Sequence, residues 1–441
     1  MENYNKYKDS GIEWIGEIPE NWNILKAKLL SSKIGDGLHG TPAYDDKGDF
    51  KFINGNNLNN GIIDLKSARN ISKEEFFKIK KVLTNNTIFY SINGTIGNIA
   101  FYNDEKIALG KSVAYINLKS SSNVYYYAYY LQSKIIYDFF NLEQTGTTIN
   151  NLSLNTLNNT FYLIPPLKEQ TQIANYLDAK TAGIDKKISL LQQKIKHYKA
   201  YRKTLINETV TKGLDKTVKL KNSGIDWIGR MPEHWEVRRL KSLGNISTSS
   251  VNKKIEEDEE IILLVNYTDV YGNKNKEIRN NPNYMKVSAK PNQIIQKNLK
   301  KGDVVFTPSS ETVEDIGVSS VVMEDLKRTL YSYHILRLRF NYKVFDNFKK
   351  YMFNNDYVQY YFSKSAKGTT RKILGLNDFN NLEIVLPITI QEQKQIADYL
   401  DAKTATIDLI TKNIETQIGT LQELRKTLIN EVVTGKMKVI D

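Results

Sequence analysis

Some short stretches of this chain carry residue types that could do chemistry. "GDGLHG" (Gly35–Gly40) fits the G-x-G-x-x-G spelling of a dinucleotide-binding turn. That turn needs a strand before it, a helix after it and an acidic residue about twenty positions on. Here "TPAYDDKGDF" follows, a turn-rich segment, so the sequence predicts a loop in which the backbone comes close to something. "NPNY" (Asn281–Tyr284) is one proline short of the Asn-Pro-Pro-Tyr that holds a flipped adenine, and no glycine-rich cofactor motif accompanies it. There is no P-loop and no helicase acidic box, and the four histidines, His39, His197, His234 and His334, are scattered. With no cysteine, thiolate zinc sites, disulfides and cysteine nucleophiles drop out together. The sequence holds no recognisable catalytic centre.

Binding chemistry is better represented. "KSAKGTTRKI" sets Lys364, Lys367, Arg371 and Lys372 around small hydroxylic residues, a set suited to phosphate positioning and base-edge contact. "EQTGTTINN" repeats its core but replaces the cations with Thr145, Asn150 and Asn151. If both loops touch nucleic acid, the two halves read it differently; a plain turn before a strand is the other reading. Tyr125–Tyr130 offers stacking surfaces, although helical spacing favours core packing. Residues 184–213 carry eight Lys or Arg against Asp185 and Glu208, a net of +6, fitting either a solvated face or a phosphate backbone. The whole chain is +13 with pI about 9.3, the charge footprint of a polyanion partner and equally a product of Lys-rich composition. The acidic run Glu256–Glu260 reads as a solvated loop turned away from such a partner.

The elements that must position these residues come in two copies. "SGIEWIGEIPENW" (Ser10–Trp22) returns as "SGIDWIGRMPEHW" from Ser223, and the two phrases hold all four tryptophans. "EQTQIANYLDAKTA" (Glu169–Ala182) returns from Glu392 with twelve of fourteen residues identical, and "RKTLINETVT" (Arg202–Thr211) returns from Arg425 with nine of ten. Residues 30–140 and 240–360 share little beyond a pattern of short strands. Constant parts should meet constant partners, and variable parts should meet two different things. A chain of 441 residues exceeds one ordinary core. We expect an α+β fold: two α/β domains in tandem, separated by two long conserved helices in an antiparallel coiled coil with pseudo-two-fold symmetry. Heptad spacing of Ile184, Ile188, Leu191, Ile195 and Leu205, and of Ile407, Ile414, Leu421 and Leu428, supports the coiled coil. Residues 184–211 would make a rod of roughly 40 Å. Gly213 and Gly435 stand where the helices should stop. "NNTIFYSINGTIGNIAFYN" and "KGDVVFTPSSETVEDIGVSSVV" read as strand–turn–strand, and "VYYYAYYLQSKIIYDFF" and "NFKKYMFNNDYVQYYF" as helices. No apolar run reaches membrane-spanning length, and "MENYNKYKDSG" lacks a signal-peptide core, so a cytoplasmic address is expected.

The duplicated order "SGI[ED]WIG…P…W", variable domain and "EQ…IA.YLDAKTA.ID", with "DGLHGTP" early in the first domain, resembles the specificity subunits of type I restriction–modification systems. The resemblance spans essentially the whole chain; "DGLHGTP" has no clear counterpart in the second domain, which implies another target subtype. It implies recognition domains at 1–165 (lead-in 1–22) and 214–387 (lead-in 214–235), with conserved helical regions at 166–213 and 388–441. Each recognition domain would read one half of a split, asymmetric double-stranded DNA target, and the helices would set the gap. Two methyltransferase subunits would dock on the helices, and motor–nuclease subunits would join through the complex. S-adenosylmethionine, ATP and Mg2+ would be used by those other subunits and none bound by this chain, which would be non-catalytic.

Candidate DNA contacts in the first domain are Lys33, Asp36, His39, Thr41, Asn56, Asn57, Thr145, Thr147, Thr148 and Asn150. In the second they are Lys253, Asn266, Tyr267, Ser309, Ser310, Lys367, Thr369, Thr370, Arg371 and Lys372. Ile173, Leu177, Ile396 and Leu400 join the heptad residues as candidates for the coiled coil and methyltransferase docking. The four tryptophans are expected to pack each domain onto the helices. Two other classes compete. One is the target-reading part of a fused methyltransferase–nuclease, of the type IIB or IIG kind; the other is a coiled-coil scaffold without DNA specificity.

Overall fold

The computed structural model describes residues 3–145 and 150–439. It divides into two compact units, residues 1–192 with 415–441, and residues 193–414. Each unit is one α/β domain plus part of each long helix. The first long helix is Leu167–Lys212 and the second is Ile390–Val433. The 46 residues of the first correspond to about 69 Å at ~1.5 Å per residue, longer than the expected rod because the "YLDAKTA" segment is itself helical.

In the first unit a four-stranded antiparallel sheet runs in the order Ile99–Phe101, Thr87–Ser91, Val113–Leu118, Ser31–Asp36. A smaller sheet pairs Phe50–Ile53 in parallel with Ile107–Leu109 and antiparallel with Arg69–Ile71. The second unit repeats the plan. Ser319–Val322, Val304–Phe306, Leu336–Phe340 and Gly244–Thr248 take the same order, and Glu277–Ile278 adds a fifth, parallel strand. Its second sheet pairs Glu260–Val265 in parallel with Leu326–Tyr331 and antiparallel with Met285–Ala289. Central strands such as Val113–Leu118 are buried along their whole length, which is why they read as continuous apolar runs without alternation. The two variable regions are thus one topology written in two unrelated sequences.

Both predicted helices in the variable regions are broken in two. Val124–Leu131 ends before Lys134–Glu143, with Ser133 between them, and Asp346–Phe353 ends before Asp356–Ser365. Asn355 restarts the last of these by accepting the Val358 N–H, the job an N-cap asparagine does. Asn123 caps Val124–Leu131 in the same way, through Tyr125 and Tyr126. In the tyrosine run Tyr126, Tyr127, Tyr129 and Tyr130 are buried and only Tyr125 is exposed, so helix packing claims it.

Within each unit the two helix segments run antiparallel. In the first, Ile173, Ala174 and Leu177 share a core with Ile429, Val432 and Val433, and Asp185 meets Arg425 with Oδ1 and Nε 3.1 Å apart. In the second, Ile206 and Val210 share a core with Ile396, Ala397 and Leu400, and Arg202 Nε lies 3.2 Å from Asp408 Oδ1. Asp185 and Arg425 have Asp408 and Arg202 as their repeat mates. The same pairing therefore forms in both units, with the helices exchanging roles.

The repeated phrases are accounted for by repeated contacts. Gln170 accepts the Asn123 N–H and donates to Pro165 O, both at 2.9 Å; Gln393 accepts the Phe345 N–H and donates to Pro387 O, both at 2.8 Å. Tyr129 donates to Asp178 at 2.7 Å as Tyr351 does to Asp401 at 2.6 Å. Asn430 accepts the Ile135 N–H, and Asn207 the Asp356 N–H, in the first turn of the corresponding helix. Trp22 and Trp235 are fully buried against the glycines that end the helices. A Cβ on Gly435 would meet Pro19 and Trp22, and one on Gly213 would meet Trp235. Trp14 is half-buried and stacks on Phe139 at 4.5 Å. Trp227 departs from the expected anchoring: it is 47% exposed and leans on Tyr360, itself exposed, and on the half-buried Tyr361.

Candidate nucleic-acid interface

In the second unit the site is built around a short hairpin. Lys367 and Ile373 exchange backbone hydrogen bonds of 3.1 and 2.8 Å, which closes a loop over Gly368–Lys372. Gly368 adopts φ +106°, a region that excludes most side chains, and a Cβ there would sit 2.1 Å from Arg371 O. The loop is therefore tight, and Thr369, Thr370 and Arg371 are exposed at its tip. The strand Lys372–Ile373 pairs with Ser309–Ser310 in a separate two-stranded sheet, which fixes the loop to the segment that follows the main-sheet strand Val304–Phe306. Lys372 Nζ turns back to Gly368 O at 2.6 Å, so that cation serves its own loop.

Beside the hairpin, Tyr267 and Tyr271 stack with centroids 5.3 Å apart. Tyr271 donates to Asp315, as do Ser310 and Thr312, each of these two at 2.6 Å. Partial burial would push the Asp315 carboxyl up, but these hydroxyl donors outweigh it and hold the group below the usual carboxylate range. Burial pushes the Tyr267 hydroxyl up, with a Ser310 hydrogen bond and the nearby Arg371 charge opposing. His334, tilted against Tyr333 with ring centroids 3.9 Å apart, is pushed down by burial and then by Lys253 and Arg371. Lys253, Tyr267, Ser310 and Arg371, more than 100 residues apart at the extremes, thus come together. Tyr271, Asp315 and His334 belong with them and were not singled out from the sequence. The "ETVEDIG" acid run was the one available signal for Asp315; nothing in the sequence marks His334.

Other candidates in this unit face inward. Asn266 is buried and its Nδ2 lies 3.4 Å from Met285 Sδ; its backbone starts the helix Tyr267–Tyr271. Ser310 is buried and Ser309 half-buried. Tyr284 of "NPNY" donates to Arg279 O at 3.0 Å and is buried, a turn-fixing role.

The first unit builds the same corner from amides. Thr145 and Asn151 exchange backbone hydrogen bonds of 2.9 Å, and Asn151 pairs with Asn93, whose Nδ2 donates to Asn151 Oδ1 at 3.1 Å. Thr147 and Thr148 lie outside the described residues. Thr145 and Asn150 are exposed, as are Lys33, His39, Thr41 and Asn56. Asp36 is half-buried, its Oδ2 2.6 Å from His39 Nε2. Asn57 is buried, and its amide is committed to Asn54 N at 2.8 Å and Ser67 Oγ at 3.0 Å. "GDGLHG" follows a strand but no helix; its Gly37 lies against the Leu109–Gly110 backbone, where a Cβ would be 2.0 Å from Leu109 O.

On the long helices every coiled-coil candidate is turned inward. Ile173, Leu177, Ile396, Leu400, Ile407 and Ile414 are buried, and Ile184, Ile188, Leu191, Ile195, Leu205, Leu421 and Leu428 are half-buried. Folding uses these residues itself. Identical pairs left exposed are Ala179 with Ala402, Lys180 with Lys403, Ala182 with Ala405, Asp185 with Asp408, Lys203 with Lys426 and Thr204 with Thr427; Lys180 and Lys403 each lie over a tyrosine ring one turn back, Tyr176 at 5.5 Å and Tyr399 at 5.7 Å. Among the described residues no group of three or more His, Asp or Glu is placed to hold a metal ion, and no helix is long and apolar enough to cross a membrane.

A family model described as "Type I restriction modification DNA specificity domain" matches residues 20–197 and again 232–419. A putative type I restriction enzyme MjaX specificity subunit of Methanocaldococcus jannaschii is 24% identical, with 96% of each chain covered. Among solved structures, a chain from work on complex assembly and conformational transition of the type I R-M system aligns with TM-score 0.69 and 16% identity. That alignment covers 95% of this chain and 99% of the other. The HsdS subunit of Thermoanaerobacter tengcongensis aligns with TM-score 0.54 and 15% identity, over 95% and 98%.

Proposed function

The chain belongs to the type I restriction-modification DNA specificity family, as a specificity subunit that determines the DNA target, and from this premise we propose that it reads a split target, one half per domain. The observation that carries the proposal is where sameness stops. The contacts that Gln170, Asp178 and Asn430 make with one domain are repeated by Gln393, Asp401 and Asn207 with the other, whereas the hairpin corner is cationic in one domain and amide-lined in the other. A protein reading two equal half-sites would have no use for that difference.

In this reading residues 1–165 and 214–387 are the recognition domains, and 166–213 and 388–441 are the helical regions. The helices hold the domains at a set spacing and present two equivalent surfaces to two methyltransferase subunits. Ala179–Lys180 and Ala402–Lys403 are among the exposed identical positions such partners would meet. Motor–nuclease subunits join through them, in the cytoplasm with the DNA. The chain itself carries no chemistry: S-adenosylmethionine, ATP and Mg2+ belong to the other subunits.

The test is a domain exchange read by genome-wide mapping of methylated adenine. Replacing residues 30–160 with another recognition domain should change one half of the methylated motif and leave the other half intact. Alteration of both halves, or of neither, would overturn the reading.

A further inference from the structure

The hairpin corner of the second domain holds four cations, Lys253, Lys367, Arg371 and Lys372, with different engagements. Lys372 is bound to its own loop, and neither Lys253 nor Arg371 forms an ion pair with any described residue. Asp315, a carboxylate near the same tyrosines, is already taken by the hydroxyls of Tyr271, Ser310 and Thr312. We propose that Arg371 is the specificity-determining side chain of the second domain and reads a guanine in the half-site served by that domain; this rests on the split-target reading above.

Three features support guanine rather than a general anion. A guanidinium is planar, with donors fixed in a fork, and it matches a rigid pair of acceptors better than a point charge does. In the major groove guanine alone offers two acceptors side by side, O6 and N7. The loop that carries Arg371 is tight: Gly368 at φ +106°, the backbone pair between Lys367 and Ile373, and the Ser309–Ser310 strand leave its tip little freedom. Phosphate contact needs no such fixing, and flexible Lys253 and Lys367 at the edge of the same surface can supply it.

The first domain gives an internal control. Its "GTTIN" aligns with "GTTRK", so Ile149 stands at the position of Arg371 and Asn150 at that of Lys372. An apolar side chain and an amide match a thymine methyl and an adenine edge, not a guanine. The two half-sites should therefore differ in the class of base read at this register.

The experiment maps methylated adenine genome-wide in cells whose only copy of the gene carries R371Q, R371K, K253Q or K367Q. With R371Q the motif should relax at one guanine of the second half-site, preference there falling roughly 5- to 150-fold, while the first half-site stays unchanged. R371K, which keeps the charge, should relax the same position. K253Q and K367Q should lower methylation at all sites evenly and leave the motif as it was. An unchanged motif with R371Q, or an even loss at all sites, would overturn the assignment and make Arg371 a phosphate contact. If R371Q abolishes methylation, R371K decides between the same two outcomes. A failed domain exchange sinks the split-target reading itself; a successful exchange with an R371Q motif left intact sinks only the guanine assignment.

Discussion

The first domain meets its helix pair through Ala128 and Tyr129, the second through Lys350 and Tyr351. The tyrosines do the same thing, donating to Asp178 and Asp401. Their neighbours do not. Ala128 is buried and apolar, whereas the buried Lys350 bridges Glu277 at 2.8 Å and Asp401 at 3.0 Å. The constant helix thus accepts two solutions at one position, and the domain supplies whatever the local chemistry lacks. Near Gly61 the first domain has a glycine beside a ring, Phe101; the second has Glu277, which Lys350 and Arg279 neutralise. Sequence divergence between the domains is therefore constrained at the joint by charge balance and unconstrained at the hairpin tip.

The largest effect that would break this comparison is Lys350→Ala. Removing the buried Lys350 leaves Asp401 without its counter-charge and Glu277 with Arg279 alone, and about 3 kcal/mol of stability should be lost in denaturant unfolding. A loss under about 1 kcal/mol would show that the triad is solvated and the two joints are equivalent. Next come the helix-ending glycines. Gly213→Ala and Gly435→Ala both force a side chain into left-handed backbone, at φ +71° and +73°, which costs about 1–2 kcal/mol. Gly435→Ala should cost more, because its Cβ would lie 2.4 Å from Pro19 Cδ, while at Gly213 the nearest atom is Trp235 Cζ2 at 3.3 Å. Equal melting temperatures for the two variants would refute the difference. The smallest effect sharpens the symmetry. Double-mutant cycles on Asp185–Arg425 and Arg202–Asp408 should return coupling energies under about 1 kcal/mol, as expected for exposed pairs, and nearly equal to each other. A clear inequality would mean that the helix segments are not interchangeable.

Much of the architecture was legible because the chain spells its constant parts twice. The repeat gave two domains, two long helices and their stopping points, and the structure adds the reason for each repeated letter: Gln170 and Gln393 tie the helix start to the domain, Asn207 and Asn430 cap a neighbouring helix, and the glycines make room for Trp22 and Trp235. Trp227 was misjudged because a repeated residue need not have a repeated environment; its surroundings come from the variable domain. Asn57 and Asn266 looked like surface amides, yet both sit at turns that close over them, and a polar residue gives no sign of that in a single sequence.

What the sequence determined by itself was periodic or duplicated: the heptads, the strand runs, the paired phrases and the absence of cysteine chemistry. These depend on neighbours a few residues away, or on comparison of the chain with itself. What only the tertiary structure decided was convergence. Lys253, Tyr267, His334 and Arg371 come together over the buried Ser310 because a parallel strand crossing and a two-residue strand bring distant loops together. Whether a cation there is spent, as Lys372 is, or left available, as Arg371 is, turns on distances of a few ångströms across that convergence.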